Sequence, residues 1–405
     1  MTAHRVRALL DVLVPHRWLV LSAVAVVAAA VHLLVRAWFS WHFIVSGSQD
    51  LFSPAALHLY ARHPELQMGP LTFLLGGVFA VVLAGPVGAW AALGFMVVAG
   101  LFALRDAWYL ADIRSDSQAR RWMLAAGGAT LVWSEVAVHY AHLDDVMALV
   151  LMVRAIRCAR DGRALSAALF VGLAIDFKPW AVPVAAVLLA SPGRLRAAGG
   201  LLAGLLLVAW APFFLADPAT VRILHFGIPV SSASSLKVFG VTSPQTPPWD
   251  RLAQLGGGLL VAALAVLRRR WSAVMLLVVG LRMLLDPAAY AYYDSGLLLA
   301  ASILDGSGLR RVPAATAAAL LTVDLIAYVV PPVVAAPIRT AGLLILILLA
   351  LHDVTRKSAT ARPVPDHRGV VTPSGRPAHP RRAAAPLQPP AADRSRAPRG
   401  WPNTR

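Results

Sequence analysis

Long apolar runs separated by short arginine-rich segments set the main constraint on this chain. The first run covers residues 18–39, which as a helix would cross about 30 Å of hydrocarbon. Inside a bilayer every backbone N–H and C=O must be bonded within the protein, so such runs form helices or closed barrels. Charged residues make up only 14% of the chain, against roughly 25% in soluble proteins. We therefore predict an all-α polytopic membrane protein.

The arginine clusters indicate how the chain crosses the membrane. Cytoplasmic loops are enriched in Lys and Arg, so clusters between alternate spans mark the inner side. The first run follows Arg17 and has no small-residue cleavage site, which indicates an uncleaved helix with its N-terminus inside. We predict twelve crossings with both termini cytoplasmic, at residues 18–39, 86–104, 122–138, 146–156, 164–177, 181–190, 197–215, 255–267, 272–285, 288–304, 312–330 and 338–351.

A further apolar run, residues 71–85, is interpreted differently. If this run crossed the membrane, the arginines between positions 105 and 121 and every later arginine cluster would lie outside. A helix of this length reaches only about 22 Å, which is short of a typical hydrocarbon core. We therefore expect a membrane-surface or re-entrant helix in the first outer loop.

This topology places the chemically distinctive segments on the outer side of the cell membrane. They are the loop that contains Asp50, the patch at residues 139–145, the corner at 178–180 and the long loop at 216–254. The inner segments are short and basic, whereas the outer ones carry acids, histidines and aromatic residues. We therefore expect the functional site to face outside.

The basic charge of the chain has a simple explanation. Residues 355–405 contain 11 Lys or Arg and 2 acidic residues, and so carry nine of the net 17 positive charges. This tail is rich in Pro, Arg and Ala without apolar periodicity, which predicts a disordered cytoplasmic segment after a membrane domain at residues 1–354. Its basic residues suit anionic lipid head groups. The pattern favours contact with membrane lipids and no nucleic-acid partner.

Two cations lie where the inside-positive rule does not place them. Lys178 and Arg282 fall at the outer ends of their apolar runs. A cation at the membrane boundary is costly without an anionic partner. A Lys ammonium suits a phosphate as a point charge, and an Arg guanidinium binds one through two parallel hydrogen bonds. The alternative for Lys178 is that its side chain reaches to lipid head groups. Since Pro179 follows Lys178, we expect the helix to break there.

Asp50 is the candidate catalytic base. It follows Ser-Gly-Ser-Gln, whose small residues suit a flexible backbone near a ligand. A carboxylate in this position would take a proton from a substrate hydroxyl. The alternative is that Asp50 caps the N-terminus of a following helix over residues 51–60.

His142, Asp144 and Asp145 open a later helix at its outer end. Acids in the first turn are favoured by the helix macrodipole, which is a purely structural explanation. His142 and Asp145, however, are three residues apart on one helix face, where they would grip sugar hydroxyls, a phosphate or a metal. The spacing does not demand a metal, so a divalent cation stays open. Downstream, Tyr290, Tyr292 and Tyr293 fit an interfacial aromatic belt better than a groove.

Several motifs are missing from the sequence. It has no phosphate-cradling loop of the Walker type, no GxSxG and no zinc-ligand helix. Nor is there a clear inverted repeat of the kind that secondary transporters show.

The order of these features resembles the GT-C superfamily of membrane glycosyltransferases, and most of all the bacterial mannosyltransferases that use polyprenyl-phosphate mannose. The resemblance covers roughly residues 18–351. Two positions depart from the family pattern, since Ala141 replaces the usual Gly and one Pro of the Pro-Pro-Leu element is lost. The matching elements are Asp50, Gly69-Pro70-Leu71, Ala141-His142-Leu143-Asp144, Asp161-Gly162-Arg163 and Lys178-Pro179.

This resemblance implies an inverting sugar transfer from a polyprenyl-phosphate donor to a cell-envelope lipid or glycan acceptor. Lys178 and Arg282 would hold the donor phosphate and stabilise its developing charge. Asp50 would deprotonate the acceptor hydroxyl, and one displacement would invert the anomeric carbon. His142, Asp144 and Asp145 would orient the sugar or the acceptor. The alternatives are a transporter or lipid flippase for an anionic or lipid-linked substrate, and a scaffold without activity.

Overall fold

The computed structural model describes residues 3–35, 38–308 and 312–356, with side chains from Ala8 onward. Within these ranges the secondary structure is helical and contains no β-strand. The α-helices are α1 (Ala3–Leu13), α2 (Arg17–Val35), α3 (Trp41–Leu51), α4 (Leu59–Arg62), α5 (Pro70–Gly77), α6 (Gly85–Leu110), α7 (Asp116–Ser134), α8 (Leu143–Arg160), α9 (Ala164–Phe177), α10 (Leu195–Ala216), α11 (Arg222–His225), α12 (Ser235–Val238), α13 (Asp250–Leu267), α14 (Trp271–Leu284), α15 (Asp294–Gly306), α16 (Ala314–Ala319), α17 (Ile326–Val329) and α18 (Pro332–Thr355).

The helix lengths fit an α-helical membrane protein but not twelve crossings. Five helical segments of the described chain are long and apolar enough to span a bilayer, namely Ala8–Val35, Gly85–Leu110, Pro192–Ala216, Asp250–Leu267 and Pro332–Thr355. The other expected spans are shorter or more charged. Helix α9 has 14 residues, about 21 Å, and α8 carries acids in its first turn and arginines in its last. The sidedness of the chain stays a prediction.

Prolines and charged residues explain the difference in the count. Lys178-Pro179 ends α9, and the next apolar run, Pro179–Ala190, is a 3₁₀-helix with Pro183 inside it. A proline removes a backbone donor and clashes with the preceding turn. Two prolines close together, Pro179 and Pro183, leave this run without an α-helix, whereas α10 and α18 each accommodate one internal proline. The disorder expected for the tail concerns residues that, from Lys357 onward, lie outside the described ranges.

The short helix expected near residues 71–85 is present. Helix α5 continues through a π-helical segment, Val78–Val82, and the pair covers only Pro70–Val82. Its N-terminal end packs tightly on the end of α9, where Gly69 N–H and Thr72 Oγ1 both donate to the Phe177 carbonyl, at 2.9 and 3.0 Å. Its relation to the membrane surface stays a prediction.

Replacing Gly69 with alanine is expected to destabilise this packing. A Cβ on Gly69 would lie 1.6 Å from the carbonyl oxygen of Asp176, so one of the two backbones must move. Overpacking of this kind costs about 1–3 kcal/mol. Gly94→Ala is the matched control, because a Cβ there meets nothing within 4 Å. Thermal unfolding in detergent would measure both. Equal midpoints for the two variants would contradict this packing.

Candidate functional site

Four helix ends meet at one place and bring together five of the six predicted site residues. Helix α8 begins there after His142, α9 ends before Lys178, α14 ends just after Arg282, and α15 begins after Tyr293. We call this group the charged cluster; it consists of His142, Asp144, Asp145, Lys178, Trp180, Arg282, Asp286, Tyr292 and Tyr293.

Lys178 lies at the break that the sequence predicted. Its backbone is extended, with φ −146° and ψ 110°, because the residue before a proline avoids the helical region. The ammonium forms an ion pair with Asp144 Oδ2 and lies 3.4 Å from Asp145 Oδ2. The Asp144 side chain is fully buried and that of Lys178 is 12% exposed. Burial lowers the pKa of Lys178, but the two carboxylates outweigh it, so the pKa is raised and the ammonium stays charged.

His142 immediately precedes α8, and its side chain contacts the two acids in the first turn of that helix. Its Nδ1 lies 3.3 Å from Asp144 Oδ1 and 3.7 Å from Asp145 Oδ2, so the expected pairing with Asp145 on one helix face is confirmed. The imidazole stacks on the Tyr292 ring, with ring centres 3.9 Å apart and planes 22° apart. The preceding Ala141 has φ 54°, in the left-handed region that glycine adopts without strain.

Arg282 is held between two aromatic rings. Its guanidinium carbon lies 3.9 Å from the centre of the Tyr293 ring and 4.6 Å from that of Trp180. Asp286, one turn further along the chain, is 3.5 Å away. Trp180 Nε1 donates to Asp145 Oδ1 at 2.9 Å. Trp180 therefore contacts both the Arg282 guanidinium and an acid that pairs with Lys178. The side chains of Asp145, Trp180, Arg282, Tyr292 and Tyr293 line a small cleft.

The tyrosines correct one sequence interpretation. A membrane-interface belt requires rings that reach lipid, yet Tyr292 and Tyr293 are only 5% and 8% exposed. The Tyr292 ring is covered by His142 and Tyr140, and the Tyr293 ring by the Arg282 guanidinium. Tyr290 is 45% exposed and alone of the three remains compatible with a belt. Tyr292 and Tyr293 instead line the small cleft beside Arg282.

The charged cluster also changes the inference that Lys178 and Arg282 require an external anion. Lys178 has Asp144 and Asp145 as partners, and Arg282 has Asp286. The anions that the two cations require are thus supplied by the chain itself, and an external anion is not needed to explain their position. The i, i+4 spacing of Arg282 and Asp286 was the available sequence signal for this pair.

Asp50 lies apart from the charged cluster and in a different local structure from the one expected. It is in the last turn of α3, so it neither caps a following helix nor belongs to a flexible loop. The residues before it form helix because α3 packs on α5 through a hydrogen bond from Ser48 Oγ to the Phe73 carbonyl, 3.0 Å. Asp50 Oδ2 lies 3.3 Å from His63 Nε2, and His63 Nδ1 lies 3.1 Å from Glu65 Oε1.

Helix α5 connects these two regions. Two consecutive residues in its first turn make the contacts. The Phe73 carbonyl accepts from Ser48, two residues before Asp50, and Thr72 donates to the carbonyl of Phe177, directly before Lys178. The sequence did not point to His63 as the partner of Asp50, because the two residues are 13 positions apart and only the fold of α3 and α4 brings them together.

The acids beside His142 have the donor types that bind a divalent cation. One ligand atom from each of His142, Asp144 and Asp145 lies within 4.8 Å of the others. The Lys178 ammonium, however, contacts the same carboxylates. A cation would have to displace it, so this group is better described as a lysine-neutralised acidic pair.

The fold and composition define an α-helical membrane protein. Comparison of the chain with protein-family models, curated protein sequences and solved structures finds no match.

Proposed function

We propose that this protein is a membrane glycosyltransferase of the GT-C type. It would move a sugar, mannose in the first instance, from a polyprenyl-phosphate donor to a cell-envelope lipid or glycan acceptor. The observation that carries the proposal is the meeting of paired carboxylates, two cations and stacked aromatic rings at the ends of α8, α9, α14 and α15. We place this site at the outer face of the membrane, with both termini cytoplasmic and the shorter apolar helices crossing beside the long ones.

The aromatic rings and carboxylates suit a sugar. Binding sites for small polar ligands combine apolar and aromatic walls with a few precisely placed polar groups. Here Tyr292 and Tyr293 would form the aromatic wall of the cleft beside the sugar, while Asp145 would accept hydrogen bonds from its hydroxyls. Asp145 Oδ2 is buried without a hydrogen bond, and the Lys178 ammonium lies 3.4 Å away, so a sugar hydroxyl would bind it beside this cation.

The donor phosphate would bind by exchange with a carboxylate. The Arg282–Asp286 contact is long, at 3.5 Å, and Arg282 lines the cleft. A phosphate oxygen that replaces Asp286 would keep Arg282 neutralised, while Asp144 keeps Lys178 in place. The guanidinium would then stabilise the charge that develops on the phosphate as the sugar leaves.

The transfer itself would be a single displacement. Because Asp50 lies apart from the charged cluster, substrate binding would first bring α3 within hydrogen-bond reach of the acceptor hydroxyl. The hydroxyl then gives its proton to Asp50, and its oxygen forms the new bond to the anomeric carbon. The bond from that carbon to the phosphate oxygen breaks, and polyprenyl phosphate leaves with the electron pair. Asp50 lies near the surface beside His63, so bulk solvent can take the proton afterwards. One displacement inverts the anomeric configuration.

The direct test supplies membranes that contain the protein with radiolabelled polyprenyl-phosphate mannose and a lipid acceptor extract. We expect labelled product, and we expect Arg282→Gln to lower its rate about 100-fold by removing charge stabilisation from the leaving phosphate. Arg196→Gln, at an exposed arginine in α10, is the matched control and should leave the rate unchanged. Absence of transfer with mannose, arabinose and glucose donors alike would contradict the proposal.

A transporter or flippase is the second candidate, and one observation favours it. Asp294 and Arg339 form an ion pair at 3.4 Å that is almost completely buried between α15 and α18. Ionisable residues inside a membrane often mark substrate or proton pathways. Proteoliposomes loaded with fluorescent polyprenyl phosphate would distinguish the two functions, because a flippase moves this lipid between leaflets without a sugar acceptor.

A further inference from the structure

A second group of ionisable side chains lies outside the charged cluster. His32 comes from the last turn of α2, whereas Glu135 and His139 are the two ends of a π-helical segment that follows α7. One ligand atom from each of the three residues lies within 4.8 Å of the others. We call this group the His-Glu-His cluster.

The π-helical segment explains why Glu135 and His139 face the same way. Its backbone bonds run over five residues, as in the Tyr140 N–H to Glu135 carbonyl bond of 2.9 Å. Side chains four positions apart lie on one face of an α-helix, and they remain on one face in this π turn. Such turns are rare and are frequently found at functional sites.

Contacts around the cluster hold its side chains in place. The His32 and His139 rings meet edge to face, with centres 5.6 Å apart, and His32 Nε2 lies 3.7 Å from Glu135 Oε1. The Tyr328 hydroxyl donates to the same Glu135 oxygen at 3.1 Å. Hydrogen bonds from surrounding residues to metal-binding carboxylates orient them and tune the metal, and Tyr328 is placed to do this.

We propose that His32, Glu135 and His139 bind a divalent transition metal ion, with Zn²⁺ the best fit. Two imidazoles and one carboxylate are a common set of three protein ligands for zinc, with water in the fourth position. Zinc bonds of about 2.0–2.2 Å place tetrahedral ligand atoms a little over 3 Å apart, which side-chain rotations would reach from the present spacing. Mg²⁺ and Ca²⁺ prefer oxygen ligands, so two nitrogen donors disfavour them.

The metal would fasten α2 to the segment that leads into the charged cluster. Backbone N–H groups of Trp38, Phe39 and Ser40 donate to the carbonyls of Val138, His139 and Tyr140, at 3.0–3.1 Å. These bonds join the same two segments immediately beyond the cluster. His142 follows three residues after His139, so the metal would fix the position of the imidazole that stacks on Tyr292. This inference does not depend on the glycosyltransferase proposal.

The proposal is tested on the full-length protein, purified in detergent without a polyhistidine tag. After chelator treatment, Zn²⁺ is added and its binding is measured by calorimetry and by elemental analysis. We expect one tight site per chain and a higher thermal midpoint in the zinc-loaded form. Co²⁺ in the same site should give the visible absorption of a tetrahedral nitrogen–oxygen complex.

Three variants test whether zinc binding depends on His32, Glu135 and His139. His32→Ala, His139→Ala and the near-isosteric Glu135→Gln should each weaken zinc binding by at least about 100-fold, since even indirect contacts to a metal site contribute 10- to 100-fold. His225→Ala is the matched control, because this exposed histidine bonds only within its own turn. His142→Ala should also leave the site intact.

Two results would overturn the proposal. The first is zinc binding that is undiminished in the variants at positions 32, 135 and 139. The second is a wild-type protein that binds no zinc tightly, which would leave the cluster as a His–Glu ion pair. Misfolding is excluded by comparing the chelator-treated wild type with the chelator-treated Glu135→Gln protein, whose midpoints should agree. Sugar transfer is not needed as a readout, so failure here and failure of the proposed activity are separate outcomes.

Discussion

The Lys178→Met variant is expected to unfold about 3–5 kcal/mol more easily than the wild-type protein. The change removes the cation that neutralises Asp144 and Asp145 and leaves both carboxylates buried. Breaking a buried ion pair from one side costs this much because the remaining charge is neither paired nor hydrated. The effect is measured by denaturant or thermal unfolding in detergent at neutral pH.

A second variant separates the charge effect from lost packing. Adding Asp144→Asn to Lys178→Met removes one stranded charge, so the double variant should recover at least half of the lost stability. Lys237→Met is the matched control, because the Lys237 ammonium bonds only to two loop carbonyls, at 3.2 and 3.5 Å. That change should cost about 1 kcal/mol or less. A double variant less stable than Lys178→Met would contradict the pairing of Lys178 with Asp144.

Asp50→Asn should abolish most of the proposed sugar transfer, with a loss in kcat of about 10²–10⁴-fold. A general base contributes this much, and asparagine keeps the shape of the side chain but cannot take the proton. Donor binding should change little, because Asp50 lies away from the charged cluster. The variant is therefore expected to lower kcat and leave KM for the donor near its wild-type value.

Asp217 offers a close control for Asp50. It too is a partly exposed aspartate paired with a histidine, since its Oδ2 lies 2.9 Å from His58 Nδ1. It also accepts a hydrogen bond from the Ala219 N–H, a capping role that asparagine retains. Asp217→Asn should leave transfer unchanged. A protein that keeps full activity with Asp50→Asn would rule out Asp50 as the base, even if transfer itself is real.

Local features of the site were well predicted because they depend on short stretches of sequence. The helix break at Lys178-Pro179 follows from the steric restriction before proline, and the pairing of His142 with Asp145 follows from helical spacing. The flexible loop expected around Asp50 was wrong, because its small neighbours are part of helix α3. The packing of α3 against α5 provides hydrogen bonds and buried contacts that outweigh this local preference.

By itself the sequence determined that the chain is an α-helical membrane protein. Its apolar runs are longer than the roughly 10 residues of a barrel strand, and in lipid such runs form helices that satisfy their own backbone hydrogen bonds. It also identified the residues with unusual charge. Only the tertiary structure decided their partners. Lys178 and Asp144 are 34 positions apart, and His32 and Glu135 more than a hundred, so their pairing depends on helix packing, which no local pattern encodes. That packing supplied internal carboxylates for Lys178, whereas Asp286 is only four residues from Arg282. It also brought two histidines and a glutamate together where the sequence had suggested no site.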